Sequence, residues 1–155
     1  MRVTNIAICA PATPITRDHA RALEELVAAE FPQHRVHFHE QCFMQAGHFA
    51  GDDLARLTAF VECANDPAFD VVWFAKGGYG SNRIADAAMV RMNAAARAKT
   101  FVGFSDCGYL LAALYKAGVG QCVHGSMPVS ARSERGREAV RRVLRWIGGD
   151  TSGVE

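Results

Sequence analysis

Apolar positions along this 155-residue chain fall into two kinds of run that take turns. The stretch Asn5-Ile6-Ala7-Ile8-Cys9-Ala10 is short and apolar and is ended by Pro11 and Pro14, which reads as a strand. Thr16 then stands before Ala20, Leu23, Leu26, Val27 and Ala28, a helical spacing that begins at Arg17 and is stopped by Pro32. From Arg35 to His39 the pattern alternates, with Val36 and Phe38 on one side and Arg35, His37 and His39 on the other. That is the pattern of an edge strand with one polar face. Residues 45–51 read as loop, and Asp52 or Asp53 opens a helix with the stripe Leu54, Leu57, Val61 and Ala64, ending near Asn65-Asp66-Pro67. Val71-Val72-Trp73-Phe74-Ala75 is apolar without alternation, as in a strand buried on both faces. A helix over about 82–92 follows, then a strand into Gly103 and a helical pattern from Asp106 through Tyr109, Leu110, Ala113, Leu114 and Ala117. A short strand at 121–124 and a last helix over about 133–147 complete the chain.

Strand and helix alternate five times with short connections, which predicts an α/β fold: an open, mostly parallel sheet with helices on both faces. The length suits one domain, long enough to hide roughly 68–70% of its unfolded surface. Seventeen Lys and Arg stand against sixteen Asp and Glu, a formal charge of +1, so nothing in the charge points to nucleic acid or an anionic membrane. The arginines from Arg132 to Arg145 alternate with Glu134, Glu138 and apolar positions, as on a solvated helix face. Five scattered cysteines without a Cys-x-x-Cys pair suit free thiols in a reducing compartment. No run reaches membrane-spanning length or forms a signal peptide, so the reading is cytoplasmic.

In open α/β sheets ligands gather beyond the carboxyl ends of the strands. Two stretches converge there. Lys76-Gly77-Gly78-Tyr79-Gly80 is neither a P-loop nor a dinucleotide fingerprint, yet its glycines can turn backbone N–H groups toward an anion. Gly103-Phe104-Ser105-Asp106-Cys107 reads as strand, tight turn, helix, with Ser105 at the turn and small residues two places either side. This is a Gly-x-Ser-x-Cys variant of the nucleophile elbow; alternatively Ser105 caps the helix. A serine nucleophile needs oxyanion donors, here the amides of Asp106 and of one glycine in the 77–80 loop, and a base. His124, at the end of the next strand, is the best-placed base within the chain, and it reads equally as a structural loop histidine. His19, His34, His37, His39 and His48 lie early in the sequence, away from the inferred crevice. His37 and His39 could share a metal, but no third ligand is evident nearby, and no metal site is assigned.

These pieces in this order resemble the N-terminal domain of the LD-carboxypeptidase family, serine peptidases that include muramoyltetrapeptide carboxypeptidase and the microcin C immunity peptidases. The resemblance rests on Ile8-Cys9-Ala10-Pro11, on Phe49-Ala50-Gly51-Asp52-Asp53 with Arg56, and on Asp66-Pro67. It extends through Ala75-Lys76-Gly77-Gly78-Tyr79-Gly80-Ser81 with Arg83, Val102-Gly103-Phe104-Ser105-Asp106 and His124-Gly125. Lys76 departs from the arginine that is common there. The resemblance implies a flavodoxin-like or class I glutamine amidotransferase-like three-layer sandwich. It implies Ser105 as nucleophile, the amides of Gly78 and Asp106 as oxyanion hole, and no metal or cofactor. The implied partner is a small peptide ending in a D-amino acid, such as a murein tetrapeptide, cleaved through an acyl-enzyme. The glutamate and histidine completing the triad would come from a C-terminal domain of the same enzyme. The expected organisation is therefore a nucleophile-bearing domain over 1–147 and the start of an interdomain linker over 148–155, with the C-terminal domain absent and the isolated chain inactive. The resemblance also allows a homodimer. Two other readings stand beside it: a flavodoxin-like module binding a small molecule or anion without catalysis, and a self-sufficient hydrolase with His124 as base.

Overall fold

The computed structural model describes residues 2–152. Five strands, β1 (Thr4–Cys9), β2 (His34–Phe38), β3 (Val71–Phe74), β4 (Thr100–Gly103) and β5 (Gln121–His124), form one sheet in the order β2-β1-β3-β4-β5, every pair parallel. The helices are α1 (Arg17–Glu30), α2 (Asp53–Asn65), α3 (Asn82–Met89), α4 (Ala94–Arg97), α5 (Gly108–Ala117) and α6 (Glu134–Ile147). Shorter 3-10 turns span Glu40–Phe43, Ser105–Cys107 and Pro128–Arg132.

The central strands bury both faces, so each splits its side chains between two cores. Ile6, Ile8, Val71 and Trp73 pack with Leu23 and Val27 of α1 and with Val140 and Leu144 of α6. Ala7, Cys9, Val72 and Phe74 pack with Phe60 of α2, Ile84 of α3 and Leu110 of α5. Three layers result, as the alternation of strand and helix predicts. The caps follow their sequence signals: Thr16 closes a capping box with His19 at the start of α1, Asp52 accepts from Ala55 N at 2.7 Å before α2, and Ser133 caps α6. On α6 the arginines do face solvent, and Arg141 also reaches Glu30 of α1 at 2.7 Å.

Three expectations are corrected. The stripe assigned to α2 is rotated: Leu54 is 69% exposed, while Arg56, Ala59, Phe60, Cys63 and Ala64 are buried. A charged residue at a core position hid the true face. The helix expected over 82–92 stops at Met89, because Asn65 holds Arg91 O (2.8 Å) and Asn93 N (3.0 Å), and Asn93 then caps α4. After β4 the chain makes a 3-10 turn first, and α5 begins only at Gly108. His37 and His39 also go separate ways, to Asn5 Oδ1 (3.4 Å) and Glu62 Oε2 (2.8 Å), and no group of three metal-ligating side chains gathers among the described residues. Of the expected linker, Gly153, Val154 and Glu155 lie outside the described residues.

Candidate active site

The order β2-β1-β3-β4-β5 places the reversal of strand order between β1 and β3, and the loops leaving β1, β3 and β4 meet above it. Ser105 follows β4. Its φ of 56° is the one positive value at a non-glycine residue among the described residues. An L-residue held in that left-handed region costs about 1–2 kcal/mol, so the surrounding contacts must impose it. The neighbours two places away do so by being small. A Cβ at Gly103 would stand 2.8 Å from Phe74 Cδ2 and 3.3 Å from Cys107 Cβ. The hydroxyl is exposed and caps nothing: Phe104 and Cys107 occupy the two N-cap positions, and neither helix has a side-chain cap bond. That removes the capping alternative.

The glycine loop leaving β3 lies directly against this turn. A Cβ on Gly77 would sit 3.1 Å from both Cβ and Oγ of Ser105 and 3.6 Å from Asp106 N. Gly78 has φ 108°, and a Cβ there would fall 2.4 Å from Thr13 Cγ2, so close approach requires glycine at 78 and leaves little room for a side chain at 77. Two latches hold the loop. The Thr13 hydroxyl donates to Gly77 O, and Ser81 donates its N–H to Asp106 Oδ2 (2.9 Å) and its hydroxyl to Asp106 O (2.6 Å). The amides of Gly78 and Asp106 have no hydrogen-bond acceptor among the described residues. Beside Ser105, burial pushes the Cys107 thiol up, so that sulfur stays protonated and is no competing nucleophile.

With this geometry in place, the comparison with protein families is decisive. Residues 6–125 match the LD-carboxypeptidase N-terminal domain. The chain belongs to that family. A Streptomyces coelicolor protein named as a carboxypeptidase is 30% identical over 155 residues, covering 90% of this chain and 46% of that protein. The crystal structure of muramoyltetrapeptide carboxypeptidase from Oxalobacter formigenes superposes with a TM-score of 0.67 at 28% identity, covering 81% of this chain and 40% of that one. A MccF-like protein from Bacillus anthracis shares the fold with a TM-score of 0.74 at 19% identity, covering 94% of this chain and 44% of that one. The chain spans less than half the length of each of these relatives.

Within this LD-carboxypeptidase N-terminal domain, two buried side chains do most to join the loops. Arg56 is fully buried and donates to Pro11 O (2.8 Å) after β1, Gly51 O (3.2 Å) before α2 and Gly80 O (2.8 Å) after β3, as well as to Asp53. Burial pulls its pKa down, opposed by the Asp53 carboxylate, which Arg83 in turn holds below the usual carboxylate range. Gln41 binds both Ala10 N (3.0 Å) and Ala10 O (2.7 Å) and also Ala50 O (2.6 Å). The roles of Gln41 and Thr13 had no signal in the sequence, because a single polar residue in a loop does not announce partners dozens of positions away.

The histidines need a correction. His48 and His19 are early in sequence but not remote in space. His48 packs its ring 6.0 Å from that of Tyr79 in the glycine loop and 3.9 Å from that of Phe49, which also lies 6.0 Å from Tyr79. His19 lies in the first turn of α1, after the carboxyl end of β1, where burial, with Arg132 and Lys76 nearby, lowers its pKa. His124 is exposed and sets its ring against Phe104, centroids 5.8 Å apart. Among the described residues, no side chain hydrogen-bonds the Ser105 hydroxyl. The exposed serine, the two free amides and the strained turn are thus brought together; a base is not. No helix among the described residues is long and apolar enough to cross a membrane.

Proposed function

We propose that this chain is the nucleophile-bearing half of a serine-type LD-carboxypeptidase that cleaves the amide bond before a C-terminal D-amino acid in murein-derived peptides. The observation that carries the reading is the left-handed Ser105, with an exposed hydroxyl, pressed against a glycine loop whose Gly78 amide is free. In this mechanism Ser105 Oγ attacks the scissile carbonyl carbon and its proton passes to a base. The carbonyl oxygen, now an oxyanion, accepts hydrogen bonds from the Gly78 and Asp106 amides. Removing one such donor typically costs about 2.7–4 kcal/mol of transition-state stabilisation. The C–N bond then breaks, the departing amine takes the proton, and water hydrolyses the acyl-Ser105 ester. With no base bonded to Ser105 among the described residues, the reading assigns a histidine and its glutamate partner to a second domain. Turnover by the isolated chain is accordingly expected to be negligible, since a triad without its base keeps only what binding and the oxyanion hole supply. Murein peptides returned to the cytoplasm for recycling are the substrate class that fits best.

The test has two arms. A fluorophosphonate is expected to add one adduct to the chain, mapped to Ser105 by mass spectrometry and lost in Ser105→Ala. Release of D-alanine from an L,D-tetrapeptide is expected only when the C-terminal domain of a full-length relative is supplied. Absence of labelling in both settings would favour the anion-binding module. Turnover by the isolated chain that His124→Ala abolishes would instead put the base in this chain.

A further inference from the structure

The loop leaving β1 does more than border the crevice. Thr13 stands between Pro11 and Pro14, and a residue preceding proline is confined to extended backbone. The loop is tied on both sides of it: Pro11 O accepts from Arg56 (2.8 Å), Ala12 O from Ala50 N (2.9 Å), and Ile15 N donates to Cys42 O (3.0 Å). The Thr13 side chain is therefore presented by a fixed backbone. Its hydroxyl donates to Gly77 O, and its methyl packs on Gly78 so closely that a Cβ there would lie 2.4 Å away.

A trans peptide is planar, with the carbonyl of one residue and the N–H of the next pointing in opposite directions. The chain has no cis peptide among the described residues, so fixing Gly77 O fixes Gly78 N–H. Sheet order then sets the sense. β3 lies between β1 and β4, so a Gly77 carbonyl drawn toward Thr13 on the β1 side turns the Gly78 N–H toward the β4 side, where Ser105 stands. We infer that Thr13 is a positioning residue: its hydroxyl orients the Gly77–Gly78 peptide so that the Gly78 amide faces the carbonyl attacked by Ser105. This rests on the serine-nucleophile reading above and adds a residue that never touches the substrate.

The experiment compares second-order rate constants for fluorophosphonate labelling of Ser105 in the 155-residue chain and its Thr13→Val and Thr13→Ser variants, each with the C-terminal domain of a full-length relative supplied. Valine keeps the shape and removes the donor; serine keeps the donor. The expected result is labelling slowed about 10- to 100-fold in Thr13→Val, less than the ~100- to 1,000-fold of a deleted donor because the amide is misaimed rather than lost. Thr13→Ser is expected within about threefold of the parent. A merely structural threonine would not show this rescue by the hydroxyl alone. Should Thr13→Val fail to fold, Thr13→Ala, which also frees Gly77 O, takes its place with the same expectation. Equal rates in parent and Thr13→Val would overturn the inference while leaving the nucleophile in place. No labelling of the parent even with that domain supplied would overturn both.

Discussion

Replacing Arg56 with methionine tests whether one buried guanidinium holds the crevice wall together. Methionine preserves much of the volume and removes every donor. Of the three carbonyls Arg56 serves, Gly80 O keeps the Arg83 N–H at 3.1 Å, while Pro11 O and Gly51 O have no other donor among the described residues. Each orphaned buried carbonyl costs about 1–3 kcal/mol. Against this, the charge no longer has to be desolvated, a cost visible in the downward pull of burial on the Arg56 pKa. The balance is a loss of about 2–4 kcal/mol. For a domain of this size each kcal/mol is worth about 2–4 °C, so the melting temperature is expected to fall by about 5–15 °C.

Far-UV circular dichroism melts, checked against urea midpoints at constant m, measure the change. The matched control is Arg83→Met, which breaks an ion pair whose two side chains are each 45% exposed and is expected to cost little. If Arg56→Met melts within about 2 °C of the parent, or no lower than Arg83→Met, then the arginine does not join the loops and the argument fails.

Two further outcomes follow from the same structure. Ser105→Gly relieves a left-handed φ costing about 1–2 kcal/mol but adds about 0.5–1 kcal/mol of unfolded-state entropy, so the chain should gain about 0.5–1 kcal/mol while losing all labelling. Ser105→Ala keeps the strain; equal melting temperatures for the two variants would refute it. His34 is buried with Nε2 on Leu144 O at 3.0 Å, which makes Nε2 the donor and leaves Nδ1 without a partner. Burial lowers its pKa below 6.5, so between that value and the folded one the unfolded chain binds the extra proton. Stability is then fully present above about pH 6.5 and lost as pH falls below it, at up to about 1.4 kcal/mol per pH unit. His34→Gln is expected to flatten this acid limb in urea unfolding from pH 8 to 5; superimposable profiles would refute it.

What was legible in the sequence was whatever depends on near neighbours. β1 and β3 could be read from unbroken apolar runs because parallel strands bury both faces, and the Ser105 turn could be read because Gly103 and Cys107 are fixed by the same crowding that strains it. What could not be read depends on distant partners. Arg56 sits in the apolar stripe of α2 for the sake of carbonyls 5, 24 and 45 positions away, so periodicity alone turned the helix the wrong way. The break after Met89 is made by Asn65, on another helix. His48 looked remote for the same reason, since only the folded loops set it beside Tyr79.

The contacts that impose the Ser105 geometry all come from inside the chain. Phe74 and Cys107 crowd the turn, Gly77 lies against the serine, and Ser81 grips Asp106 from both its carboxylate and its carbonyl. The Thr13 and Arg56 bonds extend that frame to the loops after β1 and before α2. None of these contacts involves a histidine. The strain at Ser105 is therefore sustained without any base, and under the proposed mechanism the base meets a nucleophile and amide pair already in place. Supplying the second domain would complete the proton path and leave the wall of the crevice as it stands.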